Sequence, residues 1–445
     1  MYNNKTSLKM IYKNTLFYQK KKQVKYDFSG KKISTDGAII LSKKIEKEKR
    51  IVKGFASILK DNRNKSYTNH SIEKLISQRV YSLIQGYSDC NDAEYLSDDP
   101  IFQFSLEGNL ASQPTLSRLE NSLSIKDIWR LSEYYIQCYV DSIVPQREQI
   151  VIDADGTDDP TYGNQQLTMF NGYYKQYMYN ILLFHDGETG QVILPVLRPG
   201  SCHSNKWFVS ILKRIVEKIK SKYPNIKIII RGDCGFSCPA LYSLAESEKL
   251  EFCVGISTND RLKKHTELME SFVRTEYLSK KLKYQDFTEG FSYKADSWDQ
   301  AETCYAKVES TGQGMNIRYF CSNMKAESAK ALYKEFYVLR GDASENRIKE
   351  LKNMCFADRL SCHKFTANFF RLFLSCLCYE FYRQIKLLIL RSNNEEAKKW
   401  QIDKIRLYLM KVGATIENKV KTATIRFSSS YICKDLFIEL VELRC

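Results

Sequence analysis

A chain of 445 residues with 43% hydrophobic content and a formal charge of +16 excludes a disordered polymer and a single small core. The excess of 68 Lys+Arg over 52 Asp+Glu favours a polyanionic partner, nucleic acid before an acidic membrane surface, over a neutral one. Fourteen cysteines without a Cys-x-x-Cys spacing, in a chain this long and without a signal peptide, argue against a disulfide-stapled secreted fold and for reduced thiols in a cytosol.

In chain order, residues 1–65 are lysine-rich, with "KKKQVK" at 20–25 and "KKIEKEKR" at 43–50. They read as a solvated arm or as a surface for a nucleic-acid backbone. From residue 71, Ile72, Leu75, Ile76, Val80, Leu83 and Ile84 keep the spacing of one buried helix face. "LASQPTLSRLENSLSIKDIWRLSEYYIQCYVDSI" predicts two helices. Ser112 or Thr115 can cap the first, and Ser124 with Asp127 forms a capping box for the second. The pair is compatible with a helix-turn-helix, with Arg118 either on phosphates or facing water. Residues 1–145 are thus expected to be a basic arm and a helical DNA-binding region.

At about 148 the pattern changes to strands. "QIVIDAD" is the first, and "YMYNILLFHDGETGQVILPVLR" predicts two more joined through Asp186-Gly187 and Thr189-Gly190. "NKWFVSILKRIVEKIKSKYP" predicts a helix with Trp207, Ile211, Ile215 and Ile219 on its buried face. "NIKIIIRGDCG" predicts a central strand, "PALYSLAESEKL" a helix and "EFCVGIS" another strand. A mixed α/β sheet flanked by helices follows for 146–260. Residues 261–320 predict antiparallel strands of a β-rich insertion, and 321–395 return to the core. The apolar run "FTANFFRLFLSCLCYEFYRQIKLLIL" is broken by Arg371, Glu380, Arg383 and Lys386, so it predicts a buried helix and no membrane span. Residues 396–445 are a basic C-terminal region without a clear pattern.

The chemistry concentrates in "IVIDADGTDDP" at 150–160. Asp155 is expected at the C-terminal end of its strand, where α/β sheets place ligands, and Asp153 shares its side. Asp233 ends a second strong strand. If the two strands are neighbours, the carboxylates can share a hard cation such as Mg²⁺ or Mn²⁺. Asp158 and Asp159, followed by Pro160, read as turn caps. Glu345, Lys349 and Lys352 share one helix face and read either as a solvated salt-bridged surface or as a third carboxylate with phosphate-binding cations beside it. Two cations held by three acids suit an in-line phosphoryl displacement, which develops charge on both entering and leaving oxygens.

The blocks "VIDADGTDDPTYGNQQLTMFNGYY", "VLRPGSCHSNK", "IIIRGDCGF" and "YVLRGDASENRIKELKN" resemble bacterial insertion-sequence transposases of the DDE type. "QRVYSLIQGYSDCNDAEYLSDDP" and "LASQPTLSRLENS" extend the resemblance, which runs from about 70 to about 390. It implies a ribonuclease-H-like catalytic core with a β-rich insertion before the last acid. It implies a triad of Asp155 (with Thr157 in its Asp-x-Thr context), Asp233 and Glu345, with Asp153 as runner-up for the first position, and two Mg²⁺ or Mn²⁺ ions. The family's Tyr-x2-Arg-x3-Glu-x6-Lys signature falls on Tyr337, Arg340, Glu345 and Lys352. Here four residues separate Arg340 from Glu345, which turns Arg340 by about 100° relative to the Glu–Lys face. Tyr337, Arg340, Lys352 and the neighbouring Lys349 are implied as DNA-backbone contacts. Trp298, in "SYKADSWDQ", is either a ring that stacks on an unpaired base or a core aromatic. The implied partners are the terminal inverted repeats and target DNA, bound by a homodimer in a bacterial cytoplasm, nucleoid-associated when on DNA. Two alternatives stay open. "VIDADGT" also resembles the first motif of haloacid-dehalogenase-type phosphatases, with Asp153 as nucleophile and Asp155 as acid/base, although Ser237 stands where that family needs an acid. A catalytically inactive DNA-binding protein is the other.

Overall fold

The computed structural model describes residues 15–20 and 22–445, with side chains described outside 15–18 and 342–344. Residues 1–14 and Lys21 of the lysine-rich arm lie outside the described residues. Within the rest of that stretch, residues 39–57 correct the expectation of a solvated arm, while residues 25–33 and 60–67 are exposed. Helices Ile39–Lys49 and Ile51–Ser57 bury Ile39, Leu41, Ile45, Val52 and Phe55. Their lysines line only the outer face, and Phe55 packs on Phe370 and Phe373 of a helix more than 300 residues away. Apolar residues spaced among lysines carry an amphipathic helix that a charge count hides.

Helix Ile72–Gln85 begins at Ser71, whose hydroxyl accepts the Lys74 N–H at 3.1 Å. Helices Gln113–Ser122 and Ile125–Ser142 follow, and Ser124 and Asp127 form the expected reciprocal capping box. These helices pack against Phe365–Leu390, the apolar run of the sequence, which is buried along most of its length. Between them Glu120 is buried and held by Arg79 at 3.0 Å and Arg371 at 2.7 Å, so one charge joins three helices. Among the described residues no helix is long and apolar enough to cross a membrane. All fourteen cysteine thiols are free.

The centre is one ten-stranded sheet: β1 (Gln149–Pro160), β2 (Met169–Asn171), β3 (Gln176–Asp186), β4 (Val192–Pro199), β5 (Lys227–Gly232), β6 (Glu251–Ile256), β7 (Tyr284–Phe287), β8 (Phe291–Tyr293), β9 (Glu302–Thr311) and β10 (Gly314–Ser322). β1 pairs antiparallel with β3 and parallel with β5; β4 pairs antiparallel with β3, and β6 parallel with β5. Ile150–Ile152 and Ile228–Ile230 are buried, as expected for strands covered on both faces. β10 adds antiparallel to β6, so the strands after residue 280 widen the same sheet.

Four local expectations need correction. β1 does not stop at its first acids; β3 stays paired with it as far as Pro160, while β5 ends opposite Ala154. Asp158 and Asp159 are therefore strand residues and not turn caps. Trp207 is not on the buried face of its helix; it precedes Phe208–Lys222 with φ 65° and is exposed, and Phe208, Leu212, Ile215, Val216 and Ile219 are buried instead. The stretch after 260 opens with helices Asp260–Lys264 and Glu267–Lys280 before its strands. The longer one buries only Val273, although Leu268, Met269, Phe272, Val273 and Tyr277 keep helical spacing in the sequence. The segment from Ala329 to Met354 is helical throughout, with π-helical turns at Leu332–Tyr337 and Glu350–Met354 around the α-helix Leu339–Lys349. The C-terminal region forms a hairpin, Ala414–Asn418 with Ala423–Phe427, and a helix Lys434–Glu442. Lys411 reaches the buried Asp36 at 2.6 Å and ties it to the start of the chain.

Candidate active site

Strand register brings the first two acids together. Ala154 of β1 pairs with Gly232 of β5, so Asp155 and Asp233 follow side by side as the parallel pairing ends. Asp155 stays in its strand because β3 holds it opposite Leu183. Asp233 turns away, and its Oδ1 accepts the Gly235 N–H at 2.7 Å.

Asp153 and Asp155 lie on one side of β1 but have different surroundings. Asp153 is fully buried and takes two hydrogen bonds from Arg231, at 2.6 and 2.9 Å, with Arg347 at 3.6 Å. Arg231 also donates to the Phe336 carbonyl at 2.7 Å. Asp153 is thus a structural anchor between sheet and helix, not an approachable nucleophile. Asp155 is ion-paired with Arg340 from the helix Leu339–Lys349. Burial alone would lower the Arg340 pKa, but the charges of Asp155, Tyr337, Asp233 and Asp153 outweigh it and raise it. Arg340 therefore sits in the field of both Asp155 and Asp233.

Tyr337 closes one side. Its ring stacks on Phe320 with centroids 5.6 Å apart, and burial pushes its hydroxyl pKa up. That approach needs Gly255, because a Cβ there would stand 2.7 Å from Tyr337 Oη and 3.0 Å from the Cys234 nitrogen. Lys352 closes the other side. Its Nζ lies 3.2 Å from Thr157 Oγ1 and 3.0 Å from Asp158 Oδ1, and Gln176 donates to Asp158 at 2.8 Å. Burial raises the Asp158 pKa, but Lys352 and Gln176 outweigh it and hold it below the ordinary carboxylate value. Asp159 is different: it is 1% exposed, neither oxygen has a hydrogen-bond partner, and burial with the nearby Asp358 pushes its pKa up to about 8.

The third acid of the expected triad does not join them in this arrangement. Arg340 and Glu345 are five residues apart, about 140° around an α-helix. With Arg340 turned to Asp155, Glu345 and Lys349 are exposed. Arg347, seven residues after Arg340, returns to the inner face and donates to the Gly187 carbonyl at 3.0 Å. It escaped the sequence reading, although that spacing is itself a signal of a shared face. Among the described residues no group of three or more Asp, Glu, His or Cys side chains is gathered for a metal.

Two other expected DNA contacts lie apart from the acids. Trp298 is buried edge-on between Tyr242 at 4.8 Å and Tyr293 at 5.3 Å, so it is the core aromatic and not a free stacking ring. Arg118 is exposed, donates to Thr115 at 3.0 Å, and lines a cleft of about 800 Å³ with Lys60, Arg63, Tyr67 and His70.

Paired carboxylates among arginine, lysine and tyrosine on an α/β sheet are the equipment of an enzyme that acts on phosphodiesters. The chain belongs to the family described as Transposase DDE domain group 1, whose profile matches residues 17–444; it is a DNA transposase. Among solved structures it is similar to the piggyBac transposase in a synaptic complex with hairpin DNA, determined by cryo-EM, with TM-score 0.43 and 14% identity over 84% of this chain and 80% of that one. No curated protein sequence matches it.

Proposed function

We propose that the protein binds the terminal inverted repeats of an insertion sequence as a homodimer, cleaves the DNA there and joins the freed 3′ ends to target DNA. The observation that carries this reading is the adjacent register of Asp155 and Asp233 beside the Arg340 guanidinium. A ribonuclease-H-like core is supported by the sheet order β4-β3-β1-β5-β6, antiparallel up to β1 and parallel from there on. A bacterial insertion-sequence origin rests on the sequence resemblance.

Asp155 and Asp233 offer oxygen donors that suit Mg²⁺ or Mn²⁺. The donor chemistry of the pair suits one shared ion; Glu345, turned outward, does not complete a second site as the helix stands. Bound divalent ions would supply charge stabilisation at the entering and leaving oxygens. The protein's own side chains do the rest. Arg340, now on Asp155, is a cation for the phosphate once that carboxylate is otherwise neutralised. Tyr337 offers a hydroxyl beside Asp233, and Lys352 a charge beside Thr157. Glu345 serves as the third acid when the helix Leu339–Lys349 turns it inward. π-helical turns flank that helix on both sides, a feature frequent at functional sites.

The test is Mg²⁺-dependent cleavage of labelled DNA carrying the element's ends. The wild type is expected to cleave, and Asp155→Ala, Asp233→Ala and Glu345→Ala to lose at least about a hundredfold in rate. Equal rates in all four proteins would remove the nuclease reading. Binding without cleavage by the wild type would favour the inactive DNA-binding alternative. The phosphatase alternative needs Asp153 as nucleophile, and its burial against Arg231 speaks against that.

A further inference from the structure

We propose that the β2–β3 hairpin is a stacking platform for unpaired DNA bases next to the cleavage position; this rests on the transposase reading above. The hairpin presents aromatic rings to solvent: Tyr173 is 87% exposed, Tyr177 61% and Phe170 53%. Phe170 and Tyr177 face each other in register with ring centroids 5.6 Å apart, and Tyr173 and Tyr174 meet edge-on at 4.9 Å. The turn is held from below. Asn171 Oδ1 accepts the N–H groups of Tyr173 at 3.0 Å and Tyr174 at 3.2 Å. Solvent-facing rings on a pinned turn are not accounted for by the core, and a contiguous exposed apolar patch marks a binding surface.

Its position selects the partner. Gln176, the first residue of β3 after the turn, donates to Asp158 of the active-site strand at 2.8 Å. Burial, then the charges of Asp158, Tyr173 and Asp233, push the Tyr174 hydroxyl pKa up. Cations stand around the rings. Lys175 is exposed at the tip between Tyr174 and Tyr177, Lys352 contacts Asp158, to which Gln176 also donates, and Lys206 lies 5.7 Å from the exposed Trp207 ring. The Lys206–Trp207 loop is on the same side, since a Cβ at Gly235, two residues after Asp233, would meet Ser204 at 2.7 Å. Rings with cations around them suit a nucleic-acid strand better than a lipid surface or an apolar protein. A ring can stack on a base only where the base has left the duplex, which a cleaved end allows. Trp298, buried between Tyr242 and Tyr293, has no ring face free for this task.

The experiment measures fluorescence anisotropy of the full-length protein on a labelled blunt duplex and on the same duplex with a single-stranded oligothymidine extension. The wild type is expected to bind the extended DNA more tightly. A Tyr173→Ala, Tyr177→Ala double variant should weaken extended-DNA binding about tenfold or more, with blunt-duplex affinity and thermal midpoint unchanged. The Tyr173→Phe, Tyr177→Phe variant should keep the preference, because the ring face and not the hydroxyl does the stacking. No preference in the wild type, no loss in the alanine variant, or equal loss on both DNAs overturns the proposal. Wild-type cleavage of end DNA is run alongside: if cleavage is intact while the preference is absent, the platform fails and the transposase reading stands.

Discussion

Asp155 and Asp233 stand on neighbouring parallel strands, whereas Arg340, Glu345 and Lys352 stand on a helix interrupted by π turns. In the first region hydrogen-bonded register sets position, and a one-residue slip would break a buried ladder. In the second, position around the helix depends on how many residues lie between two side chains. The extra residue between Arg340 and Glu345 leaves every backbone hydrogen bond possible yet turns the carboxylate to solvent. The strand half of the site is thus fixed by pairing, and the helix half by which side chains its rotation brings to Asp155, Asp158 and Gly187.

That contrast can be broken most sharply at Asp153, the anchor of the strand half. Asp153→Ala leaves Arg231 buried without its carboxylate and should cost about 3–5 kcal/mol of stability, read from urea unfolding. A loss below about 1 kcal/mol would mean that the Asp153–Arg231 pair anchors nothing.

Asp159, on the same strand, sharpens it through pH. Its pKa is raised from 3.8 to about 8, so the folded protein keeps a proton that the unfolded chain has released. Its contribution to stability falls as pH rises from about 4 to about 8 and is flat above that. Asp159→Asn removes this penalty and should stabilise the protein at pH 8 by on the order of a few kcal/mol, with little gain at pH 4. A gain independent of pH would refute the assignment.

The helix half should respond less. Arg340→Ala removes the cation from Asp155 and should cost about 1–3 kcal/mol without metal. It should also enlarge the rise in unfolding midpoint on adding Mg²⁺, because no guanidinium competes for Asp155. An unchanged Mg²⁺ response would separate Arg340 from the metal-binding face. Glu345→Ala is expected to have the smallest effect on stability, within about 0.5 kcal/mol in thermal unfolding, while abolishing cleavage. A large loss of stability would show that Glu345 is already turned inward.

Local patterns were the legible part. Alternation and apolar runs are sufficient for the strands from Ile150 to Ile152 and Ile228 to Ile230, and the Ser124–Asp127 box marks a helix start from four consecutive residues. Helix Glu267–Lys280 was legible in the spacing of Leu268, Met269, Phe272, Val273 and Tyr277 but was passed over for the strand pattern that follows it, and helix Ile39–Lys49 was hidden because lysines obscure its apolar face. Trp298 could be read either way until its neighbours Tyr242 and Tyr293 were known, residues 56 and 5 positions distant.

The sequence by itself determined which elements form and that Asp155, Asp233 and Glu345 stand in blocks resembling transposases, because propensity, periodicity and motif order are properties of nearby residues. Only the tertiary structure decided that Asp155 and Asp233 are neighbours, that Asp153 is consumed by Arg231, and that Arg340 rather than Glu345 faces the acids. Those outcomes depend on which distant charge shares a buried site and on helix rotation. Both are settled by packing and desolvation, which no stretch of chain carries alone.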